Sequence, residues 1–509
     1  MSHFPYLTVL TAAPLVGAVG VALLPKDKPE LAKRAALAWS VLVLALGVGL
    51  WTQFKPNGDR FQLRDSWTWI PQWGAKFTFA VDGIALVMIA LIALLVPLVI
   101  LASWHDAEHS KRSVPAYFSL LLALECTMIG VFAAQDVFLF YVFFEVMLVP
   151  MYFLIGSYGG QHKQYAAVKF FLYSLLGGLF MLAALIGLWV LGGQTFDWQT
   201  LVNADFSANT ERWLFLGFFL AFAIKAPFFP FHTWLPDAGG AAPAGAAALL
   251  VGVLDKVGTF GILRYCLPLF PNASKQFAWL GLTLALIGII YGALVAIGQK
   301  DLKRLVSYTS IAHFGFIGIG IFAFTTQAGT GAVLYMVNHG LATGLLFLVV
   351  GMLVARRGSA LVTDFGGAGK LMPVLAGVFF IAGLASLALP GTSPFVSEFL
   401  VLIGTFTVNK TVAIIATAGI ILAAGYVLWM IQRTTQGTPN PKLAEIKAMG
   451  RDLSVREAVV VAPLIALILL LGFYPKPLTD VINPAVQATM HDVGKTDPKA
   501  TVGTVEAGK

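Results

Sequence analysis

Apolar runs long enough to cross a bilayer recur along almost the whole chain. They lie near 7–24, 35–54, 83–103, 114–133, 136–156, 167–191, 211–230, 246–267, 277–297, 304–324, 329–355, 373–408, 412–432 and 457–474, with short polar joints between them. With 373–408 taken as one interrupted helix, the pattern predicts an all-α polytopic membrane protein of fourteen transmembrane helices. The first run, Leu7–Leu24, has no basic region before it and no convincing small-residue cleavage site after it, so it reads as a retained helix. Residues 55–82 depart from the pattern: Trp67, Trp69 and Trp73 alternate with polar residues, which predicts an extended hairpin at an interface where indole rings favour lying. From Lys476 onward the chain is polar and is expected to be loosely packed.

A weak internal repeat runs through these elements. Phe171-Leu172-Tyr173 aligns with Val333-Leu334-Tyr335, Asp136 with Asp301, and the proline pair Pro227 and Pro230 with Pro390 and Pro394, all at similar separations. Each unit holds five helices, and an odd number forces the second copy into the opposite orientation. This is the plan of an inverted-repeat transporter with a discontinuous seventh and a discontinuous twelfth helix. Paired prolines are also compatible with simple kinks. The chain divides accordingly into 1–113, three helices with the hairpin 55–82; 114–267 and 268–433, the two five-helix repeats; 434–475, a loop and the fourteenth helix; and 476–509, a polar tail.

Composition excludes a soluble globule: of 509 residues 58% are hydrophobic and only 11% charged, against about a quarter charged in soluble domains. Cys126 and Cys266 both sit inside apolar runs, so no disulfide framework, haem-attachment motif or iron–sulfur spacing is available. The net charge of +8 obeys the positive-inside rule more simply than it signals nucleic acid. With the N-terminus outside, nineteen of the 33 basic residues fall in inside segments, eleven outside, and Lys225, Lys256 and Arg264 within spans. Both termini are therefore expected on the outer side.

Ionisable side chains inside the spans carry the candidate chemistry, because a charge at mid-bilayer costs about 2.5–3.5 kcal/mol on insertion scales. Glu145 lies within an otherwise apolar run, Lys225 beside the first helix break, Lys256 near the middle of the eighth span, and Glu398 just past the second break. Burial moves a lysine and a carboxylate toward neutrality while a Glu–Lys pair pulls each back toward its charged form, which makes such a pair a tunable proton switch. The same residues are compatible with a buried salt bridge that sets helix register, and either role requires Glu145 near Lys225. His313 and His339 fall mid-span and suit a relay between Lys256 and Glu398. Glu125 is a candidate for an access route, whereas Asp136, Asp237, Asp255 and His232 lie near span ends or the break and read as capping groups. The strings Asp364-Phe365-Gly366 and Gly366-Gly367-Ala368-Gly369-Lys370 imitate nucleotide motifs without their strand or spacing and are set aside.

Three strings identify a family. Phe143-Phe144-Glu145-Val146-Met147 through Ile155, Lys225-Ala226-Pro227 through Trp234-Leu235-Pro236-Asp237-Ala238, and Leu389-Pro390-Gly391-Thr392 through Glu398-Phe399 closely resemble the antiporter-like membrane subunits of proton-translocating NADH:quinone oxidoreductase, respiratory complex I. The best match is the M-type branch, related to the mitochondrial chain four, over roughly residues 1–475. The resemblance implies proton transfer by Glu145, Lys225, Lys256, His313, His339 and Glu398. It also implies no metal or cofactor in this chain, with NADH, FMN, iron–sulfur clusters and quinone held by partner subunits. Its partners would be other membrane-arm subunits, with homologous antiporter-like chains on either side, in the plasma membrane of a bacterium. Glu398 favours the M-type branch, since the similar L- and N-type chains generally look lysine-bearing there, and the stretch after Tyr474 leaves no room for the long lateral helix of the L type. A subunit of a multi-chain cation/proton antiporter of the same superfamily is the alternative. A quinone-binding redox subunit fits less well, because the family places quinone chemistry in other chains.

Overall fold

In hydrocarbon, backbone amides and carbonyls are satisfied only within helices or closed barrels, and this chain takes the helical solution. The computed structural model describes residues 4–108, 110, 112–441 and 452–497. Among these, eleven helices are long and apolar enough to cross a membrane: Pro29–Gln53, Gly83–Ala102, Val114–Ala133, Val137–Tyr158, Lys163–Leu191, Ala244–Leu269, Ala278–Ile297, Leu302–Phe322, Thr326–Arg357, Lys410–Thr435 and Val455–Phe473. Tyr6–Ala22, Pro373–Ser386 and Ser393–Phe406 are apolar but shorter. Ala244–Leu269, Leu302–Phe322 and Thr326–Arg357 form the interior, whereas Lys163–Leu191, Lys410–Thr435 and Val455–Phe473 turn most of their side chains outward. Residues 442–451 of the expected 434–455 loop, and the tail beyond 497, lie outside the described residues.

Two helices are interrupted where the prolines stand. Ala208–Lys225 ends at Lys225, the chain passes through Pro227 and Pro230, neither of which has an N–H to donate, and a helix resumes at Trp234–Ala241. Carbonyls freed there find new donors: the Trp234 indole bonds Ile224 O at 2.9 Å and the Phe228 amide bonds Ala223 O, five residues back, at 2.9 Å. The second interruption separates Pro373–Ser386 from Ser393–Phe406, and its turn uses Gly391 at φ 94°, a conformation that favours glycine. Ala244–Leu269 is irregular in another way. Two π-helical turns, Leu250–Leu254 and Ile262–Cys266, widen it on either side of Lys256–Gly261.

The hairpin forms as its alternation predicts. Strands Gln62–Ile70 and Ala75–Val81 pair antiparallel with Trp67 opposite Phe77, and Gly74 closes the turn at φ 63°. Trp67, Trp69 and Trp73 are all exposed.

The loosely packed tail is a correction. Lys476–Val493 is a helix that buries Val481, Ile482, Ala485, Val486, Met490 and Val493 along one face. The apolar positions recur at helical spacing, which a reading of average polarity hides. Polar contacts hold it as well: Arg60 pairs with Asp492 at 2.5 Å, Thr330 bonds Asn483 at 2.6 Å, and the Thr326 amide donates to Asp497 at 2.7 Å. At Gly83 the approach is so close that a Cβ would lie 1.9 Å from the Val481 carbonyl oxygen. Gly83→Ala is therefore expected to lift this helix, seen as faster thiol labelling of a reporter Met490→Cys, with Cys126 and Cys266 silent because both are buried. Unchanged labelling would show that docking does not depend on that contact.

Candidate functional site

Lys225 closes its helix with a fully buried amine that has no hydrogen-bond partner and lies over the rings of Phe144 and Phe170, at 5.3 and 5.5 Å from their centroids. Glu145 stands in the last turn of Val137–Val146, half-buried, with Oε1 unbonded. Gly178 on Lys163–Leu191 makes room for it, since a Cβ there would sit 1.6 Å from that oxygen. The two charges are within electrostatic reach, as expected, yet neither hydrogen-bonds the other.

Lys256 has three polar partners. Its amine lies 2.7 Å from His339 Nδ1 and 3.1 Å from Asp255 Oδ1, and also bonds the Val251 carbonyl, which belongs to the π-helical turn just before it. From His339 the row continues to His313, with ring centroids 5.1 Å apart. His313 Nε2 is 3.4 Å from the Tyr426 hydroxyl, and its ring is 5.9 Å from that of Tyr335. Tyr335 donates to Glu398 Oε2 at 2.9 Å. Helix geometry explains the placement: Tyr335 and His339 are four residues apart on Thr326–Arg357 and share a face. Asn338, on the same helix, fixes the helix bearing Glu398 by donating to Ser393 O at 2.8 Å. Glu398 itself is 5% exposed.

Four of the residues expected to act together are thus in one continuous row, Lys256, His339, His313 and Glu398, with Tyr335 and Tyr426 as members that sequence reasoning missed. The signal for Tyr335 was its spacing of four from His339. Asp255 is a correction: it makes no side-chain cap, is fully buried in mid-helix, and pairs with Lys256. Asp136 does cap, accepting from the Leu139 amide at 3.0 Å. Asp237 instead pairs with Lys169 at 2.7 Å and with Arg304, and His232 is buried against Phe229 with both ring nitrogens unbonded. Glu125 is buried with no partner for either oxygen and does not join the row. Arg264, the remaining in-span cation, pairs with Asp82 at 2.6 Å. Among the described residues no group of three His, Cys, Asp or Glu is arranged to hold a metal ion.

Comparison with known proteins shows the family of the chain. The family described as NADH:quinone oxidoreductase/Mrp antiporter, TM, matches residues 134–423, a stretch that contains every member of the row except Tyr426. The NADH-quinone oxidoreductase subunit M of Mycobacterium tuberculosis is 48% identical over 99% of this chain and 97% of its own length. The chain belongs to the NADH-quinone oxidoreductase subunit M family. The M-type subunit of Rhodobacter capsulatus is 38% identical over 94% of this chain and 95% of its own length. A chain of respiratory complex I from Thermus thermophilus superposes on this M-type chain with a TM-score of 0.86 at 31% identity, over 96% of this chain and 100% of the other. The Mrp complex from Dietzia shares the fold at a TM-score of 0.82 but only 20% identity, over 96% and 100% of the two chains, so the multi-chain antiporter is the less favoured reading.

Tyr335→Phe removes one hydroxyl from this M-type chain without changing its packing volume. The expected result is an assembled complex whose NADH-driven proton pumping falls several-fold. Pumping equal to that of the parent chain would show that Glu398 does not depend on Tyr335.

Proposed function

We propose that the chain is the M-type proton-translocating subunit of the membrane arm of NADH:quinone oxidoreductase, carrying protons along a path built from Glu145, Lys225, Lys256, His313, His339 and Glu398. Supporting this above all is the unbroken run of contacts from the Lys256 amine through His339 and His313 to Tyr335 and Glu398, inside an otherwise apolar helical interior. Imidazole and carboxyl groups exchange protons near neutral pH, and the helix breaks beside Lys225 and Glu398 free backbone groups that can hold water. Redox chemistry belongs to partner subunits carrying NADH, FMN, iron–sulfur clusters and quinone. Other membrane-arm subunits, including homologous antiporter-like chains, flank this one, and Glu125 serves an access route.

The architecture proposed with it is fourteen spans in two inverted five-helix repeats. Tyr6–Ala22 and the two broken helices, Ala208–Lys225 with Trp234–Ala241 and Pro373–Ser386 with Ser393–Phe406, join the eleven long helices. Matching details support the repeat: Asp136 and Asp301 each cap a helix, and each bridges to the segment after the next long helix, at Asp197 and Leu361. Tyr173 and Tyr335 each bond a residue at or beyond the break of their own half, Thr233 and Glu398. In a bacterial plasma membrane both termini and the 55–82 hairpin would face outward.

Glu145→Gln and Lys225→Ala are each expected to abolish most pumping while the complex stays assembled, because each removes one member of a charge pair that sets the other's proton affinity. Normal pumping by Glu145→Gln would sink the pairing. Glu398→Gln should be as damaging, and Glu398→Lys should keep part of the activity. For the topology, a membrane-impermeant thiol reagent applied from outside should label Asp59→Cys and spare Thr438→Cys; the reverse pattern would invert the assigned orientation.

A further inference from the structure

Asp255 and Lys256 stand side by side, both fully buried, near the middle of Ala244–Leu269. Desolvating two charges offsets most of what their attraction returns, so a buried pair of this kind is a poor way to stabilise a helix. Side chains at successive positions of a regular helix also point in different directions. Here the preceding turn is widened: the Asp255 amide bonds Leu250 O, five residues back, at 3.2 Å, and the Lys256 amine folds toward Val251 O. The result sets Asp255 Oδ1 3.1 Å from Lys256 Nζ and leaves Asp255 Oδ2 buried with no partner.

The end of the helix that bears the other lysine packs against the same stretch. Gly258, one turn on from Asp255, lets the two helices touch at the very end of Ala208–Lys225: a Cβ at Gly258 would be 2.5 Å from both Ala226 N and Phe222 O. Asp255 is accordingly the second acidic group, after Glu145, within electrostatic reach of Lys225. Lys225 Nζ has no hydrogen-bond partner and Lys256 Nζ already has His339 on its far side. One carboxylate is therefore within electrostatic reach of both lysines.

We propose that Asp255 is the catalytic group that passes a proton from Lys225 to Lys256, a step that rests on the reading that both lysines carry protons. The Lys225 ammonium loses an N–H proton, which forms an O–H bond on Asp255 Oδ2, leaving a neutral amine and a neutral acid; water relays the proton across the gap and is neither consumed nor produced. The acid then gives its proton to a neutral Lys256 amine and returns to carboxylate. Net charge is unchanged throughout, so no lone charge is left in the apolar interior. From Lys256 the proton faces His339 and the rest of the row.

The test compares Asp255→Asn, Asp255→His and Lys256→Ala in membrane vesicles holding the complete complex, measuring NADH oxidation, proton uptake and assembly on native gels. Asparagine keeps a hydrogen bond to Lys256 but cannot titrate; histidine titrates but offers no negative charge. Asp255→Asn should assemble and lose about tenfold or more of its pumping, the scale of a lost acid–base group, and Asp255→His should recover a substantial part. Pumping by Asp255→Asn within about twofold of the parent chain, well under the loss of an acid–base group, would overturn the proposal and make Asp255 a fixed counter-ion. Should Asp255→Asn fail to assemble, Asp255→His decides: pumping supports the relay, and an assembled but silent complex overturns it. Normal pumping by Lys256→Ala would instead remove the underlying reading of the lysines, and the relay with it.

Discussion

Everything in this chain follows from the expense of leaving a polar group unsatisfied in hydrocarbon. Apolar side chains tolerate any helix arrangement in lipid, because there is no water to drive them together. Polar ones do not. Arg264 reaches Asp82, Lys256 reaches His339, and Tyr335 reaches Glu398, so each of these buried polar contacts fixes one helix against another. The interior helices Ala244–Leu269 and Thr326–Arg357 carry Arg264, Lys256, Tyr335 and His339, and Leu302–Phe322 carries His313.

The same constraint accounts for the irregular backbone. A helix that stops at Lys225 exposes carbonyls, and the Trp234 indole takes one of them at 2.9 Å. At the second break Asn338 takes the Ser393 carbonyl from a neighbouring helix. In Ala244–Leu269 the Lys256 amine bonds the Val251 carbonyl, which lies in the π-helical turn. Departures from the regular ladder therefore occur beside ionisable groups, where the freed backbone becomes part of the polar row. Glycine supplies the closeness these contacts need: a Cβ at Gly331 would lie 2.7 Å from Val401 N, which brings the helix of Tyr335 and His339 against the helix of Glu398.

Energetics separate the row from the scaffold. Buried charge pairs add little to stability and are strongly destabilising when one partner is removed, so a chain built for stability alone would fill these positions with leucine. Retaining lysine, aspartate, glutamate and histidine in the interior is the feature on which the proposed proton path rests. Docking of Lys476–Val493 belongs to the scaffold, since it rests on an apolar face, the pair Arg60–Asp492 and the close pass over Gly83.

Length and periodicity alone determined that the chain is helical and lives in a membrane, and where its helices run, because the thickness of hydrocarbon sets the length of an apolar run. The cost of intramembrane charge likewise marked Glu145, Lys225, Lys256 and Glu398, and the prolines marked both breaks, since these are properties of single residues and their immediate neighbours. Which of those groups touch was decided only by tertiary structure. Nothing in the string distinguishes Asp255 from a capping aspartate until the π-helical turn swings it onto Lys256, and nothing separates Tyr335 from other buried tyrosines until Ser393–Phe406 packs across it. Hydrogen bonds act over about 3 Å, a scale set by the packing of helices distant in sequence. The amphipathic helix at Lys476–Val493 was legible in its spacing of Val481, Ile482, Ala485 and Val486, but its partner surface on Gly83 and Thr330 exists only once the other helices are assembled.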